Sequence, residues 1–151
     1  MSVVAKFFHF QRVTYADCTI GNHVYYARYL EMLEAARGEF FRQMGSCFGA
    51  WQGKGLIFPV VELRLKYAAP ARYDDLLACE VWFTRAEGAR LNFGYRVENQ
   101  AAKLILEGES WHVCAGLDEK PARLPQELIA LAKSHLRTAP GMASAASRMT
   151  A

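Results

Sequence analysis

The sequence lacks the cysteine and charge patterns that mark several classes of functional site. Its four cysteines, at positions 18, 47, 79 and 114, form no C-x-x-C pair and have no metal-ligand spacing relative to the four histidines. Basic residues are scattered without a run of five, and the net charge is only +3. These absences argue against a metal site and against a nucleic-acid-binding patch, while a mild basic excess suits a small anionic ligand.

Long apolar runs are absent as well. No stretch reaches the length needed to cross a bilayer, and the start, MSVVAKFFHFQRVTY, lacks the basic and apolar regions of a signal peptide. We therefore expect no membrane span and a cytoplasmic location, where the cysteines are free thiols. The 151 residues, 52% of them hydrophobic, suffice for one domain with a substantial core.

The hydrophobic pattern predicts the order β–α–β–β–β–β–α. A first strand is expected in 6–15, and a helix of about five turns runs from Val24 to a stop at Gly45, with apolar residues on more than one face. The short connections between the later strands predict a consecutive antiparallel meander. The four later strand-like runs and the last helix are at 56–70, 74–88, 89–100, 102–117 and 124–136.

This order predicts an α+β fold in which a curved antiparallel sheet wraps one long, mostly buried helix. The sheet covers the apolar faces that the helix cannot cover alone. We expect a single domain over residues 1–137 and a disordered tail over 138–151, where the sequence is small and polar.

The segment YADCTIGNHVYYARYLEMLEAAR, residues 15–37, leads from a polar loop into the predicted helix. It resembles the pattern Y-x-D-T-D-x-x-G-x-V-x-x-x-x-Y-x-x-x-x-E-x-A-R of the hotdog-fold acyl-CoA thioesterases of the 4-hydroxybenzoyl-CoA thioesterase type. A strand opening with Pro59, the turn ARYDD at 71–75 and the uninterrupted strands that follow also fit this family. The matching positions within the segment are Asp17, Val24, Tyr29, Glu34, Ala36 and Arg37.

The resemblance implies the hotdog fold and hydrolysis of an acyl-CoA or acyl-carrier-protein thioester without metal or cofactor. It also implies homodimers or homotetramers with active sites at the dimer interface. Two alternatives remain: a non-hydrolytic acyl-CoA-binding protein, or a hotdog dehydratase. The dehydratase is disfavoured because its D-x-N-P-x-H spacing is missing.

The chain departs from the family at the usual catalytic acid, where Thr19 stands. A threonine is no general base at neutral pH, so three explanations are open. Asp17 is the base; or His23 is the base, with Asn22 orienting the ring or the water; or catalysis rests on positioning alone. The competing interpretations are a capping role for Asp17 or Asn22 and a core position for His23.

Backbone N–H groups at the start of the helix, from about His23 to Tyr26, are candidates for an oxyanion hole, and among them we assign this role to Val24 and Tyr25. Glu34 and Arg37, three residues apart on the helix, are expected to form a structural ion pair. A nucleophilic role for Cys18 and a phosphate contact by Arg85 are weaker hypotheses. The residues assigned to substrate binding are Thr19, Tyr25, Tyr26 and Arg90.

Overall fold

The computed structural model describes residues 5–141 of the chain and contains one principal helix, two short helices and nine strands within that range. Two single-turn 3-10 helices lie at Tyr15–Asp17 and Lys133–His135. The α-helices are α1 (Arg28–Gln43), α2 (Phe48–Gly53) and α3 (Gln126–Ala132). The strands are β1 (Phe7–Arg12), β2 (Cys18–Thr19), β3 (His23–Val24), β4 (Leu56–Ile57), β5 (Val60–Tyr67), β6 (Leu76–Glu87), β7 (Arg90–Glu98), β8 (Leu104–Val113) and β9 (Ala115–Gly116).

Five long strands form one antiparallel sheet in the order β1-β6-β7-β8-β5. The predicted α+β class, with one long helix on an antiparallel sheet, is confirmed. A fully consecutive meander requires β5 to pair with β6, and this part of the prediction is wrong. The edge of β6 that β5 would occupy is paired with β1. The β5 strand therefore crosses the sheet and pairs with β8, which leaves β5 as an edge strand.

The α1 helix begins at Arg28, four residues later than the predicted start at Val24. The cause is a small antiparallel ribbon in which Cys18 pairs with Val24 and Thr19 with His23, so the chain is still extended there. Gly45 follows the helix with φ of +86°, a left-handed conformation that glycine adopts without strain, and the predicted stop is confirmed.

The hydrophobic core lies between α1 and the inner face of the sheet. Buried aromatic rings dominate this contact: Phe40 packs 5.0 Å from Phe83, and Phe41 packs 5.9 Å from Phe93, measured between ring centroids. Only one side of α1 is buried within this chain, since Leu30 is 41% exposed. The expectation of apolar burial on several helix faces is therefore wrong for the single chain.

Contacts with the sheet extend to Thr138, one residue past the predicted domain boundary at residue 137, and that boundary stays a prediction. The Trp82 indole N–H donates to the carbonyl of Thr138 at 3.1 Å, and Arg137 pairs with Glu80 at 3.0 Å on the outer face of the sheet. Residues 142–151 of the predicted tail, and 1–4 at the start of the predicted domain, lie outside the described residues. Within 5–141, no helix has the length and apolar character needed to cross a membrane.

Candidate active site at the start of the long helix

The loop before β2 is tied to itself by a capping box. The Asp17 carboxylate accepts hydrogen bonds from the backbone N–H of Thr14 at 2.8 Å and from its hydroxyl at 2.9 Å. The Asp17 carbonyl also accepts the N–H of Tyr25 at 2.9 Å. These bonds give Asp17 the capping role that was one of its two interpretations.

A second set of bonds ties this loop and the first turn of α1 to the turn at 71–75. The side-chain oxygen of Asn22 accepts the N–H of Tyr73 at 3.0 Å, and the Tyr29 hydroxyl accepts the N–H of Ala71 at 3.1 Å. Asn22 itself has φ of +61°, a conformation that asparagine tolerates better than most residues. Asn22 is not the N-cap of α1, because Ala27 occupies that position.

The backbone N–H groups before α1 divide into used and unused donors. The N–H of Val24 donates to the carbonyl of Ala71 at 3.0 Å, and that of Tyr25 donates to Asp17. The expectation that the amides of Val24 and Tyr25 are unpaired is therefore wrong. Within the described residues, the N–H groups of Tyr26 and Ala27 have no hydrogen-bond acceptor, so the unused donors lie one to three residues further along the chain.

His23 is exposed and lines a cavity of about 310 Å³ whose wall also includes Tyr26. Neither ring nitrogen is hydrogen-bonded to another described residue, so the expectation of a buried core histidine does not apply. Tyrosine rings and a turn between β5 and β6 form the rest of the wall. The other lining residues are Val24, Tyr26, Tyr29, Tyr67, Ala68, Ala69 and Pro70.

Thr19 and Asn22 line a different cavity, of about 740 Å³, together with Cys18 and the exposed rings of Tyr15 and Tyr73. The Thr19 hydroxyl donates to the carbonyl of Ile20 at 3.2 Å. Burial, with Asp17 and Asp75 nearby, raises the pKa of the Cys18 thiol, which disfavours the thiolate that a nucleophilic role requires. The sequence candidates are therefore split between two cavities.

Of the two tyrosines predicted to bind substrate, Tyr26 lines the His23 cavity and Tyr25 packs against the ring of Tyr26. The rings of Tyr25 and Tyr26 lie 4.7 Å apart and are 47% and 63% exposed. The carbonyl of Tyr26 accepts a hydrogen bond from the hydroxyl of Tyr67 at 3.0 Å. Tyr67, on β5, was missed by the sequence analysis because alternation along a strand gives no sign of a bond to a distant loop.

The predicted ion pair between Glu34 and Arg37 does not form. Glu34 is exposed, and the Arg37 guanidinium instead donates to the hydroxyl of Tyr95 at 2.9 Å. This bond is the first of a buried chain, since Tyr95 lies 2.6 Å from the Ser110 hydroxyl and Ser110 lies 2.8 Å from Nε2 of His112.

The direction of this buried chain follows from its last member. Nδ1 of His112 lies 3.0 Å from the carbonyl of Phe58, which can only accept, so Nδ1 carries the proton. Burial lowers the pKa of His112 to about 4, so the ring is neutral at pH 7 and Nε2 accepts from Ser110. Ser110 then accepts from Tyr95, which accepts from Arg37, and each group has a partner.

Arg90 lies at the opposite end of the sheet from the loop. It begins β7 beside Glu87 and Val113, whereas the loop contacts the start of β6. The 12 residues of β6 separate the two by about 35 Å. The structure therefore does not bring Arg90 to the His23 cavity of its own chain, and Arg85 pairs with Glu87 at 2.8 Å.

Comparisons with known proteins agree on one family. The family model described as "Thioesterase superfamily" matches residues 21–105. The chain is 35% identical over 120 residues to the acyl-CoA thioester hydrolase YbgC of Escherichia coli O157:H7, covering 79% of this chain and 90% of that protein. It is 34% identical over 129 residues to the acyl-CoA thioesterase YbgC of Haemophilus influenzae, covering 83% and 93%.

A solved structure shares both the fold and part of the sequence. The 1,4-dihydroxy-2-naphthoyl-CoA thioesterase Slr0204 from Synechocystis aligns with a TM-score of 0.77 at 25% identity. The alignment covers 84% of this chain and 95% of that one.

Proposed function

This chain belongs to the thioesterase superfamily and is an acyl-CoA thioester hydrolase of the hotdog fold, and on that premise we propose that His23 and the amides of Tyr26 and Ala27 carry the reaction. The observation that supports this assignment is that, among the described residues, the N–H groups of Tyr26 and Ala27 have no acceptor, and that Tyr26 lines the same cavity as His23. Such donors at a helix start suit an oxygen that gains negative charge.

In the proposed reaction, the imidazole of His23 accepts a proton from a water molecule as the water oxygen attacks the thioester carbonyl carbon. The C=O bond opens to an oxyanion, which accepts hydrogen bonds from the N–H groups of Tyr26 and Ala27. When the carbonyl re-forms, the C–S bond breaks and the thiolate of CoA leaves. The imidazolium of His23 gives its proton to this thiolate, and the products are a carboxylic acid and a thiol.

The remaining sequence candidates take supporting roles in this proposal. Asp17 and Asn22 hold the loop through Thr14 and Tyr73, so they position the site without contacting the thioester. Tyr26 lines the cavity and contacts the acyl group, and Tyr25 packs against its ring. Thr19 lies on the other cavity and has no part in the chemical step.

We also propose that the protein forms a homodimer through β5. This edge strand exposes Val60, Val61 and Leu63 by 49%, 54% and 40%, and an exposed apolar edge is a natural place for strand pairing. Pairing of two β5 strands covers these side chains and the open side of α1. Light scattering on wild type and Leu63→Lys tests this, with a dimer expected for the first and a monomer for the second; a wild-type monomer contradicts it.

The cytoplasm is the proposed location. All four cysteines are free thiols, and two of them, Cys79 and Cys114, are buried. Unpaired cysteines are typical of a reducing compartment, where acyl-CoA or an acyl-carrier protein supplies the thioester.

The test of function is steady-state thiol release from short, medium, long and aryl acyl-CoAs, with the same acyl groups on a carrier protein as a second panel. We expect turnover by wild type and a loss of about 100-fold in kcat for His23→Ala. Asp17→Asn is the matched control, since it retains an acceptor oxygen for Thr14; its kcat is expected within about fivefold of wild type, because the group does not meet substrate.

Other outcomes point elsewhere. A large loss in Asp17→Asn with little change in His23→Ala makes Asp17 the base. Full activity in both variants points to catalysis by positioning alone. Binding of acyl-CoA without turnover of either panel leaves the acyl-binding alternative.

A further inference from the structure

The peptide unit between Tyr26 and Ala27 is held by a side chain from the far edge of the sheet. The Tyr67 hydroxyl donates to the carbonyl of Tyr26 at 3.0 Å. In a trans peptide the C=O and N–H bonds of one unit are coplanar and antiparallel, and no cis peptide occurs among residues 5–141. A bond that fixes the Tyr26 carbonyl therefore also fixes the direction of the Ala27 N–H.

The preceding peptide unit is anchored independently. The N–H of Arg28 donates to the carbonyl of Tyr25 at 2.8 Å, so the Tyr26 N–H, in the same peptide unit as that carbonyl, is also held. With both flanking carbonyls anchored, the two backbone torsions of Tyr26 have little freedom. The bond to the Tyr25 carbonyl comes from the backbone of the helix, whereas the bond to the Tyr26 carbonyl depends on the hydroxyl of Tyr67 alone.

Tyr67 is itself held in place for this bond. Its ring lies 5.5 Å from the ring of Tyr29, which is 3% exposed and is fixed by the N–H of Ala71. Burial raises the pKa of the Tyr67 hydroxyl, so the group keeps its proton and remains a donor. A hydrogen bond to the carbonyl also polarises the peptide and strengthens its N–H as a donor.

From these contacts we propose that Tyr67 is a positioning residue for the oxyanion hole, acting through the Tyr26–Ala27 peptide. The proposal rests on the function assigned above. The bond from Tyr67 to the Tyr26 carbonyl orients the Ala27 N–H toward the thioester oxygen. That oxygen gains negative charge only as water attacks, so Tyr67 stabilises the transition state more than the bound substrate. Its removal therefore lowers kcat and leaves KM nearly unchanged.

The test compares Tyr67→Phe with Tyr73→Phe in the full chain. Both changes remove one hydroxyl from a half-exposed tyrosine; that of Tyr73 has no hydrogen bond within the described residues, and its ring packs on Tyr15 at 5.8 Å. We expect Tyr67→Phe to lower kcat by about 10- to 100-fold with KM within about twofold of wild type. Tyr73→Phe is expected to keep both constants within about twofold, because no catalytic contact is lost.

A second measurement follows the amide itself. In 15N-labelled protein, the Ala27 N–H resonance is expected to move upfield and exchange faster in Tyr67→Phe than in wild type or Tyr73→Phe, with melting temperature and molecular mass unchanged. This measurement does not need turnover, so it tests whether Tyr67 holds the Tyr26–Ala27 peptide even if the assigned function is wrong.

Three results overturn the proposal. The first is a kcat for Tyr67→Phe within about twofold of wild type. The second is a loss that lies in KM alone, which makes Tyr67 a substrate contact. The third is an Ala27 amide that does not change in Tyr67→Phe. Absence of wild-type turnover on both substrate panels instead refutes the assigned function.

Discussion

The two ends of the contact between α1 and the sheet treat their hydrogen-bonding groups in opposite ways. Under the second half of the helix, Arg37, Tyr95, Ser110 and His112 form one chain in which each group has a partner. At the start of the helix, the N–H groups of Tyr26 and Ala27 have no acceptor within residues 5–141, and the exposed His23 lines the same cavity as Tyr26. The first arrangement is closed, and the second is open to a ligand.

This difference separates stability from chemistry. A buried polar chain is stabilising only while every member is satisfied, so its residues are expected to affect unfolding far more than turnover. Donors left open beside a cavity contribute little to folding but are available to a reacting oxygen. The two regions should therefore respond to substitution in different measurements.

The largest effect on stability is expected for Tyr95→Phe. The change removes the only described acceptor of Arg37 and the donor to Ser110, and it leaves the half-buried Arg37 and the fully buried Ser110 without that partner. We expect the free energy of unfolding in urea to fall by about 2–3 kcal/mol, with kcat within about fivefold of wild type. A variant as stable as wild type but much slower in turnover would place this chain in the catalytic machinery.

The pH dependence of stability sharpens the comparison. His112 has a pKa of about 4 in the folded protein and about 6.5 in the unfolded chain. The unfolded state therefore binds the proton first, and the contribution of His112 is complete above pH 6.5 and lost as the pH falls toward 4. At pH 5 the loss is about 2 kcal/mol.

His112→Gln supplies the control, because a glutamine side chain stays neutral at both pH values. The carboxylates of the chain are the same in both proteins, so their contribution to the pH dependence cancels when the two are compared. The decrease in unfolding free energy from pH 7 to pH 5 is expected to be about 2 kcal/mol smaller in this variant than in wild type. Equal decreases in the two proteins would contradict a neutral, buried His112.

The smallest effect is expected in the loop. Thr14→Ala removes the hydroxyl from the capping box but leaves the backbone N–H bond to Asp17. We expect a loss of about 0.5–1 kcal/mol in the free energy of unfolding and little change in turnover. A loss of turnover as large as that expected for His23→Ala would show that the capping box controls the geometry of the site.

Local patterns predicted the elements well and the partners of polar groups less well. Apolar spacing located the body of α1 and its end at Gly45, because helix periodicity and glycine caps are local. The start of α1 was placed four residues early, because the pairing of Cys18 with Val24 cannot be read from helical spacing. The same limit explains the position of β5, which is decided by the competition of β1 for β6.

The candidate site shows the same division. The sequence indicated the segment of the candidate site, and within the range from His23 to Tyr26 the donors were assigned to Val24 and Tyr25, whose amides donate to Ala71 and Asp17. Arg37 was expected to pair with its helical neighbour Glu34, but its partner is Tyr95, 58 positions away. Tyr67 gave no sequence signal for its bond to Tyr26.

The most direct test of the account is the response of the loop amides to a bound carbonyl. A CoA ketone, in which a methylene replaces the thioester sulfur, retains the carbonyl and is not hydrolysed. On titration of 15N-labelled protein, we predict the largest downfield amide-proton shifts at Tyr26 and Ala27 and small shifts at Val24 and Tyr25. Shifts concentrated at Val24 and Tyr25, or no response at Tyr26 and Ala27 when the ketone binds, would contradict the assignment of the oxyanion hole.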